Sequence, residues 1–144
     1  MQTLSESEII RFRIPSDAKY VPTIRRAVQS IARCLGFPED IAEDIEISIA
    51  EALANAVEHG SPDHKSEIVV ICKVDEDNLT IDVRDGGLGF EPPCPEGPYD
   101  FLDERGRGLR LIYKLMDRVN IHRTTSGSRI RMVKQRRKAN LSLC

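Results

Sequence analysis

Apolar residues in this chain alternate, then recur every three or four positions, then alternate again, and that rhythm divides it into elements. In 8–14, EIIRFRI, residues Ile10, Phe12 and Ile14 share one side of a two-residue period, which predicts a strand. Pro15 and Ser16 close it, and Ser16 or Asp17 can cap a following helix. Over 17–36 the residues Val21, Ile24, Val28, Ile31 and Leu35 keep helical spacing until Gly36. Pro38 suits the first turn of a second helix, and Glu39, Asp40, Glu43 and Asp44 favour its positive end. That helix is expected to run to about Gly60. Residues 67–75 and 79–84 predict two strands joined by a tight turn at Asp75–Asn78. An irregular stretch rich in glycine and proline, 85–106, is long enough to be functional or disordered. A short helix over 107–117 and a hairpin of 118–124 with 128–135, turning at Ser126–Gly127, complete the pattern.

The order is strand, two helices, two strands, a loop, a helix and two strands. It predicts an α+β fold, a two-layer sandwich of a mostly antiparallel sheet with helices on one face. One domain is expected over 1–136, with a flexible polar tail at 137–144. Composition narrows the class. The chain has 144 residues, 40% of them hydrophobic and 31% charged, with a net charge of -2. This describes an ordinary globular domain and argues against a dedicated nucleic-acid binder. No apolar run reaches membrane-spanning length, and the N-terminus lacks the form of a signal peptide, so a cytoplasmic protein is expected. The four cysteines, Cys34, Cys72, Cys94 and Cys144, are scattered without CxxC or zinc spacing, and reduced thiols are expected.

The second helix carries a polar stripe in an unusual place. At about 100° per residue, Asp44, Ser48, Glu51 and Asn55 fall within a narrow band of a helix otherwise apolar nearly all round. Ile47, Ala50, Ala54 and Val57 flank it on one side, and Ile45, Ile49, Ala52 and Ala56 on the other. A carboxylate and an amide so placed would line a polar pocket holding an ion or ligand. A solvated stripe on a half-buried helix reads equally well from this segment alone.

Two glycine-rich segments follow. Val83–Phe90, VRDGGLGF, leaves a strand directly, and its glycines at 86, 87 and 89 permit close approach to a ligand and positive φ. Asp85 there offers a carboxylate to a donor such as an exocyclic amine, although a turn with an Asp cap is an equally simple account. Arg105–Ile112, RGRGLRLI, joins the loop to a helix, where exposed N–H groups and Arg105 and Arg107 suit an anion; a flexible helix entry is the plainer alternative. The chain lacks the P-loop GxxxxGK[ST] and the HRD and DFG motifs of eukaryotic-type kinases.

Taken in order, Glu51-x-x-x-Asn55 on a helix, Asp85-x-Gly87-x-Gly89-Phe90 after a strand, Gly106-Arg-Gly108-Leu109 before a helix and Gly127-Ser128 in the last hairpin resemble the N, G1 and G2 boxes of the GHKL ATPase superfamily. Within it, IAEALANAVEHG, VRDGGLGFEP and GRGLRLIYKLMDRV are most similar to the anti-sigma-factor serine kinases. The resemblance implies ATP and Mg²⁺ as cofactors. Asn55 would coordinate the metal and Glu51 would be the catalytic base. Asp85 would bind the adenine amine in a pocket shaped by Gly87, Gly89 and Phe90, with 91–105 as a lid. Residues Gly106–Leu109 would hold phosphates, with Arg105 or Arg107 nearest the γ-phosphate. Ser128 stands where the family usually has Thr. His59 is expected to be a surface or capping residue. The implied partners are a sigma factor and an anti-anti-sigma (STAS-type) protein, with a homodimer admitted and no direct contact with nucleic acid or membrane.

Three other functions compete at this level. A detached histidine-kinase ATPase domain would normally follow a helix pair bearing the acceptor histidine, and only about eight residues precede the first strand. A nucleotide-responsive binding module without turnover would not need Glu51. A nucleic-acid binder would use Arg129, Arg131, Lys134, Arg136, Arg137 and Lys138, yet such a run on an edge strand and tail is usually solvated.

Overall fold

The computed structural model describes residues 7–59, 66–86, 104–124 and 127–136. They form strand β1 (Glu8–Pro15), a 3-10 turn (Ala18–Tyr20), helices α1 (Val21–Cys34) and α2 (Glu39–His59), strands β2 (Glu67–Val74) and β3 (Asn78–Asp85), helix α3 (Glu104–Leu115), and strands β4 (Arg118–Thr124) and β5 (Gly127–Gln135). The five strands make one sheet in the order β1-β2-β3-β5-β4, and every neighbouring pair is antiparallel. The expected α+β sandwich is the fold observed.

Local chemistry explains most boundaries. Asp17 caps the 3-10 turn by accepting from the Lys19 N–H at 3.0 Å, and Pro22 in the first turn starts α1 only at Val21. The expected helix over 17–36 is therefore a 3-10 turn followed by a shorter α-helix. Gly36 ends α1 at φ 89°, with its N–H bonded to the Arg33 carbonyl and the Phe37 N–H to the Ala32 carbonyl. These two bonds form a Schellman cap, and the positive φ is why glycine stands there. In the β2–β3 turn, Asp75 Oδ1 accepts from the N–H groups of Asp77 and Asn78, both at 2.8 Å. Gly60, expected to end α2, lies outside the described residues.

The core fills the space between the helices and one face of the sheet. Ile24 and Val28 of α1, Ile45, Ile49 and Leu53 of α2, and Ile112 of α3 meet Ile68, Val70, Leu79, Ile81 and Met132 of the strands. Arg25 and Gln29 of α1 both reach Glu46 of α2, at 3.3 and 2.9 Å. Cys72 is fully buried in this layer, and burial, helped by the charge of Asp82, pushes its thiol up to about 12, so it is an inert packing residue. Among the described residues Cys34 and Cys72 are both free thiols, as expected. No helix among the described residues is long and apolar enough to cross a membrane.

On the opposite face of the sheet no helix packs among the described residues, and that face is lined by Ile9, Arg11, Lys73, Asp82, Arg84 and Arg131. β5, expected to lie at an edge, is interior, paired on both sides by β3 and β4. Several of its cations are engaged: Arg131 bonds Asp82 at 2.7 Å, and Lys134 bonds the Leu115 carbonyl at 2.6 Å. Just beyond the strand, Arg136 reaches the Asp75 carbonyl at 2.7 Å. Pairing within the fold, rather than solvation at an edge, accounts for Arg131, Lys134 and Arg136, while Arg137 and Lys138 lie outside the described residues.

Candidate nucleotide site

Helix α2 supplies the first part of the site. Its apolar side, through Ile45, Ile49, Ala52, Leu53 and Ala56, is buried on the sheet. The opposite flank is not: Ile47 is 40% exposed and Ala54 is also exposed. The helix is apolar nearly all round, as its sequence reads, but only one of the two apolar flanks of its stripe is covered. The polar stripe runs along the rim between core and solvent. Glu51, Asn55 and Asp44 are half-buried there, while Ser48 is fully buried. A rim position keeps carboxylate and amide partly hydrated, which avoids the cost of enclosing a bare charge.

Helix α3 closes against this rim. A Cβ added to Gly108 would lie 2.5 Å from the Glu51 Oε1, so the carboxylate as placed rests directly against Gly108 and a side chain there would have to push it aside. Leu109, the next residue, turns inward and packs in the core. The N-terminal start of α3 differs from expectation. The helix begins at Glu104, so Gly106, Arg107 and Gly108 lie inside its first turns instead of preceding it. Three acceptable helix formers, Glu104, Arg105 and Arg107, carry the helix back through Gly106. A helix leaves its first four N–H groups, counted from the N-cap, without internal partners. The N–H groups of α3 that lack a partner within the helix are therefore those of 104–106 among the described residues, while those of Arg107, Gly108 and Leu109 fall within the helical ladder. The side chains of Arg105 and Arg107 lie outside the described residues, as does that of His59.

The second cluster sits at the end of β3. Asp85 is 4% exposed and directly opposite Ser128 of β5, whose hydroxyl donates to its Oδ2 at 3.3 Å. Gly127 precedes Ser128 at φ 145°, and a Cβ there would strike the Asp85 backbone, so glycine is required at this crossing. Gly86 behaves otherwise than expected: its φ is not positive and a Cβ would meet nothing within 4 Å. Its freedom is room beside Asp85, not backbone strain. Gly87, Gly89, Phe90 and the 91–103 part of the expected lid lie outside the described residues.

Glu51 is thus brought together with Gly108, and Asp85 with Gly127 and Ser128. Asp85 belongs to the helix-covered face, since it alternates with the buried Leu79, Ile81 and Val83, and α2 packs on β3. No described contact joins the two clusters directly. Asn55 makes no hydrogen bond among the described residues, so its amide oxygen is available to a cation. No group of three or more His, Cys, Asp or Glu side chains among the described residues could hold a metal. One amide oxygen without a carboxylate cage fits a hard cation that arrives with phosphate and water ligands, as magnesium does. Ser48 appeared in the sequence only as a member of the stripe. Its burial was not readable there, because periodicity places it on a flank without saying what covers that flank.

Comparison with known proteins gives the family and supports the fold. Residues 14–134 match the family model of the histidine kinase-like ATPase domain. The chain is 37% identical over 127 residues to the serine-protein kinase RsbW of Bacillus mycoides, covering 82% of this chain and 79% of that protein. It is 38% identical over 123 residues to RsbW of Bacillus cereus, covering 79% and 77%. The RsbU and RsbW domains of Rv1364c from Mycobacterium tuberculosis superimpose with a TM-score of 0.68 at 21% identity, covering 90% of this chain and 33% of that one. The histidine kinase domain of the Erythrobacter litoralis blue-light activated kinase gives a TM-score of 0.55 at 21% identity, covering 84% and 61%. A buried Asp85 at a strand end, a half-buried Glu51 against a glycine of the next helix and this helix-on-sheet topology all sit within the matched span, and the chain belongs to the histidine kinase-like ATPase domain family and, within it, to the RsbW serine-protein kinases.

Proposed function

We propose that the protein is an ATP-binding anti-sigma factor and serine-protein kinase that phosphorylates an anti-anti-sigma (STAS-type) antagonist and sequesters a sigma factor, acting in the cytoplasm. The observation that carries the reading is the seating of the Glu51 carboxylate against Gly108, which puts a base beside the glycine-containing first turns of α3. Those turns offer unpaired N–H groups and the positive end of a helix, which favours phosphate oxygens. Asn55, one turn after Glu51, is the proposed ligand for magnesium; that ion, when bound, neutralises charge developing on the phosphates. Glu51 then accepts the proton of the attacking serine hydroxyl as the new O–P bond forms and the bond to the leaving ADP oxygen breaks. Asp85, held by Ser128, is the proposed acceptor for the adenine amine, with Gly87, Gly89 and Phe90 beside it and Arg105 or Arg107 toward the γ-phosphate. A homodimer is compatible with this reading.

The test is transfer of label from γ-labelled ATP to the cognate antagonist, with calorimetric titration of ATP with and without magnesium. Wild-type protein is expected to give acid-stable phosphoserine, and Asn55→Ala to lose the magnesium-dependent part of ATP affinity. ATP binding without transfer would overturn the kinase reading. Affinity that ignores both magnesium and Asn55 would overturn the metal assignment.

A further inference from the structure

Ser48 is fully buried, and its hydroxyl has no hydrogen-bond partner among the described residues. Leaving a buried hydroxyl unsatisfied costs about 1–3 kcal/mol, so such a group in a native helix calls for an account. The usual escape for a helical serine, a bond back to the carbonyl four residues earlier, is not made. Glu51 lies three residues on, on the same flank, and its carboxylate too makes no hydrogen bond among the described residues. Side chains three apart on a helix stand about 5–6 Å from each other at Cβ. At that spacing the Ser48 hydroxyl and the Glu51 carboxylate can share one water, each through a hydrogen bond of about 2.8 Å. Long helical side chains also lean toward the helix N-terminus, which inclines Glu51 toward Ser48. On its far side the carboxylate is stopped by α3, since a Cβ at Gly108 would lie 2.5 Å from Oε1.

We propose that Ser48 is a positioning residue for Glu51: its hydroxyl, through one bound water, holds the carboxylate against Gly108. The inference rests on the kinase reading of the same site. Ser48 touches no substrate. It donates to the water, and the water donates to Glu51, which gives the water two polar partners. The carboxylate is then confined between its own helix and α3 with one oxygen free to face the reacting hydroxyl. Losing a single such restraint is expected to lower turnover without weakening nucleotide binding, because a small misplacement of the base acts on the chemical step.

The test uses the full chain with ATP, magnesium and the cognate antagonist, measuring steady-state transfer of label from γ-labelled ATP to the antagonist, ATP affinity by calorimetry and melting temperature for wild type, Ser48→Ala and Ser48→Cys. Cysteine keeps the volume but is a weak donor. Both variants are expected to lose about tenfold in kcat, with KM and ATP affinity within about twofold of wild type. Wild-type kcat in Ser48→Cys, with or without a stability loss in Ser48→Ala, would make Ser48 a packing residue and overturn the proposal. A parallel fall in ATP affinity and kcat would overturn it as well. A wild-type protein that binds ATP but turns none over would remove the kinase reading and this inference with it, whereas active wild type matched by both variants removes only the inference.

Discussion

Strand β3 carries two buried aspartates three residues apart, each 4% exposed, on opposite faces of the sheet. Each lies directly across from a residue of β5: Asp82 faces Arg131 and Asp85 faces Ser128. Their surroundings diverge. On the face opposite the helices, Arg131 bonds Asp82 through Nε at 2.7 Å and through a second nitrogen at 2.9 Å, and Arg84 adds a contact at 3.2 Å. Burial alone would push the Asp82 carboxyl up, but the bonds and charge of Arg131, seconded by Arg84, hold it below its ordinary value. On the helix-covered face, the cross-strand partner of Asp85 is a hydroxyl at the longer distance of 3.3 Å, and the chain beyond it opens at Gly86. A bidentate guanidinium holds a carboxylate far more tightly than one long hydroxyl bond does. Asp82 therefore ties strands together, whereas Asp85 is the carboxylate we propose for binding.

Exchanging each carboxylate for its amide is the most forceful way to break that division. Asp85→Asn is expected to weaken ATP binding by about ten- to a hundredfold, the worth of a hydrogen bond to a charged group, while leaving the melting temperature within a few degrees. Asp82→Asn is expected to leave ATP affinity within about twofold. It lowers stability by about 1–2 kcal/mol, a figure reduced from that of a buried pair because Arg131 is 41% exposed. For a chain of this size that is a fall of roughly 3–6 °C. Calorimetric titration and thermal unfolding of both variants read the two effects together. The division fails if Asp82→Asn loses nucleotide affinity as Asp85→Asn does.

How much of this was visible in the bare sequence follows from what each signal depends on. The elements were legible because alternation in EIIRFRI and helical spacing around Val21–Leu35 are local, and Gly36 and Asp75 act on their own neighbours. The pairing of Asp82 with Arg131 was not, because it needs the register of two strands separated by a loop and a helix, and nothing local sets that register. The same gap put β5 at an edge, where charged residues are common, when it is in fact interior. Glu51, Asn55, Asp85 and Ser128 are candidates through their ordered spacing. The exposure of Ile47 and Ala54, the burial of Ser48 and the seat of Glu51 on Gly108 were not legible, since each depends on where α3 lies across α2. The early start of α3 was hidden because Gly106 and Gly108 read as helix breakers, while the residues around them favour continuation.

The next sharpening uses pH. The folded Asp82 carboxyl titrates below its unfolded value, ordinarily about 3.9, so its contribution to stability is complete above that value. It is lost as pH falls through the lower, folded value. The stability gap between wild type and Asp82→Asn is thus expected to be widest near neutrality and to narrow when denaturant unfolding is repeated at about pH 3. A gap that stays constant or widens on acidification would mean that the arginines do not stabilise the charged carboxylate.

The finest distinction concerns Ser128, whose hydroxyl orients Asp85 from across the sheet. At 3.3 Å its bond is long, and removing it leaves a carboxylate still able to accept from a ligand. Ser128→Ala is expected to weaken ATP binding by about two- to fivefold, the equivalent of roughly 0.5–1 kcal/mol. Ser128→Thr retains the hydroxyl on a strand, where a β-branched residue is well suited, and is expected to match or slightly exceed wild type in both affinity and stability. Titrating ATP into the three proteins decides whether the hydroxyl matters through Asp85. If Ser128→Ala loses the same factor in an Asp85→Asn background as in wild type, the two residues act independently, and the cross-strand contact is incidental to binding. A smaller loss in that background is the result the geometry requires, because the hydroxyl would then have no charged partner left to orient.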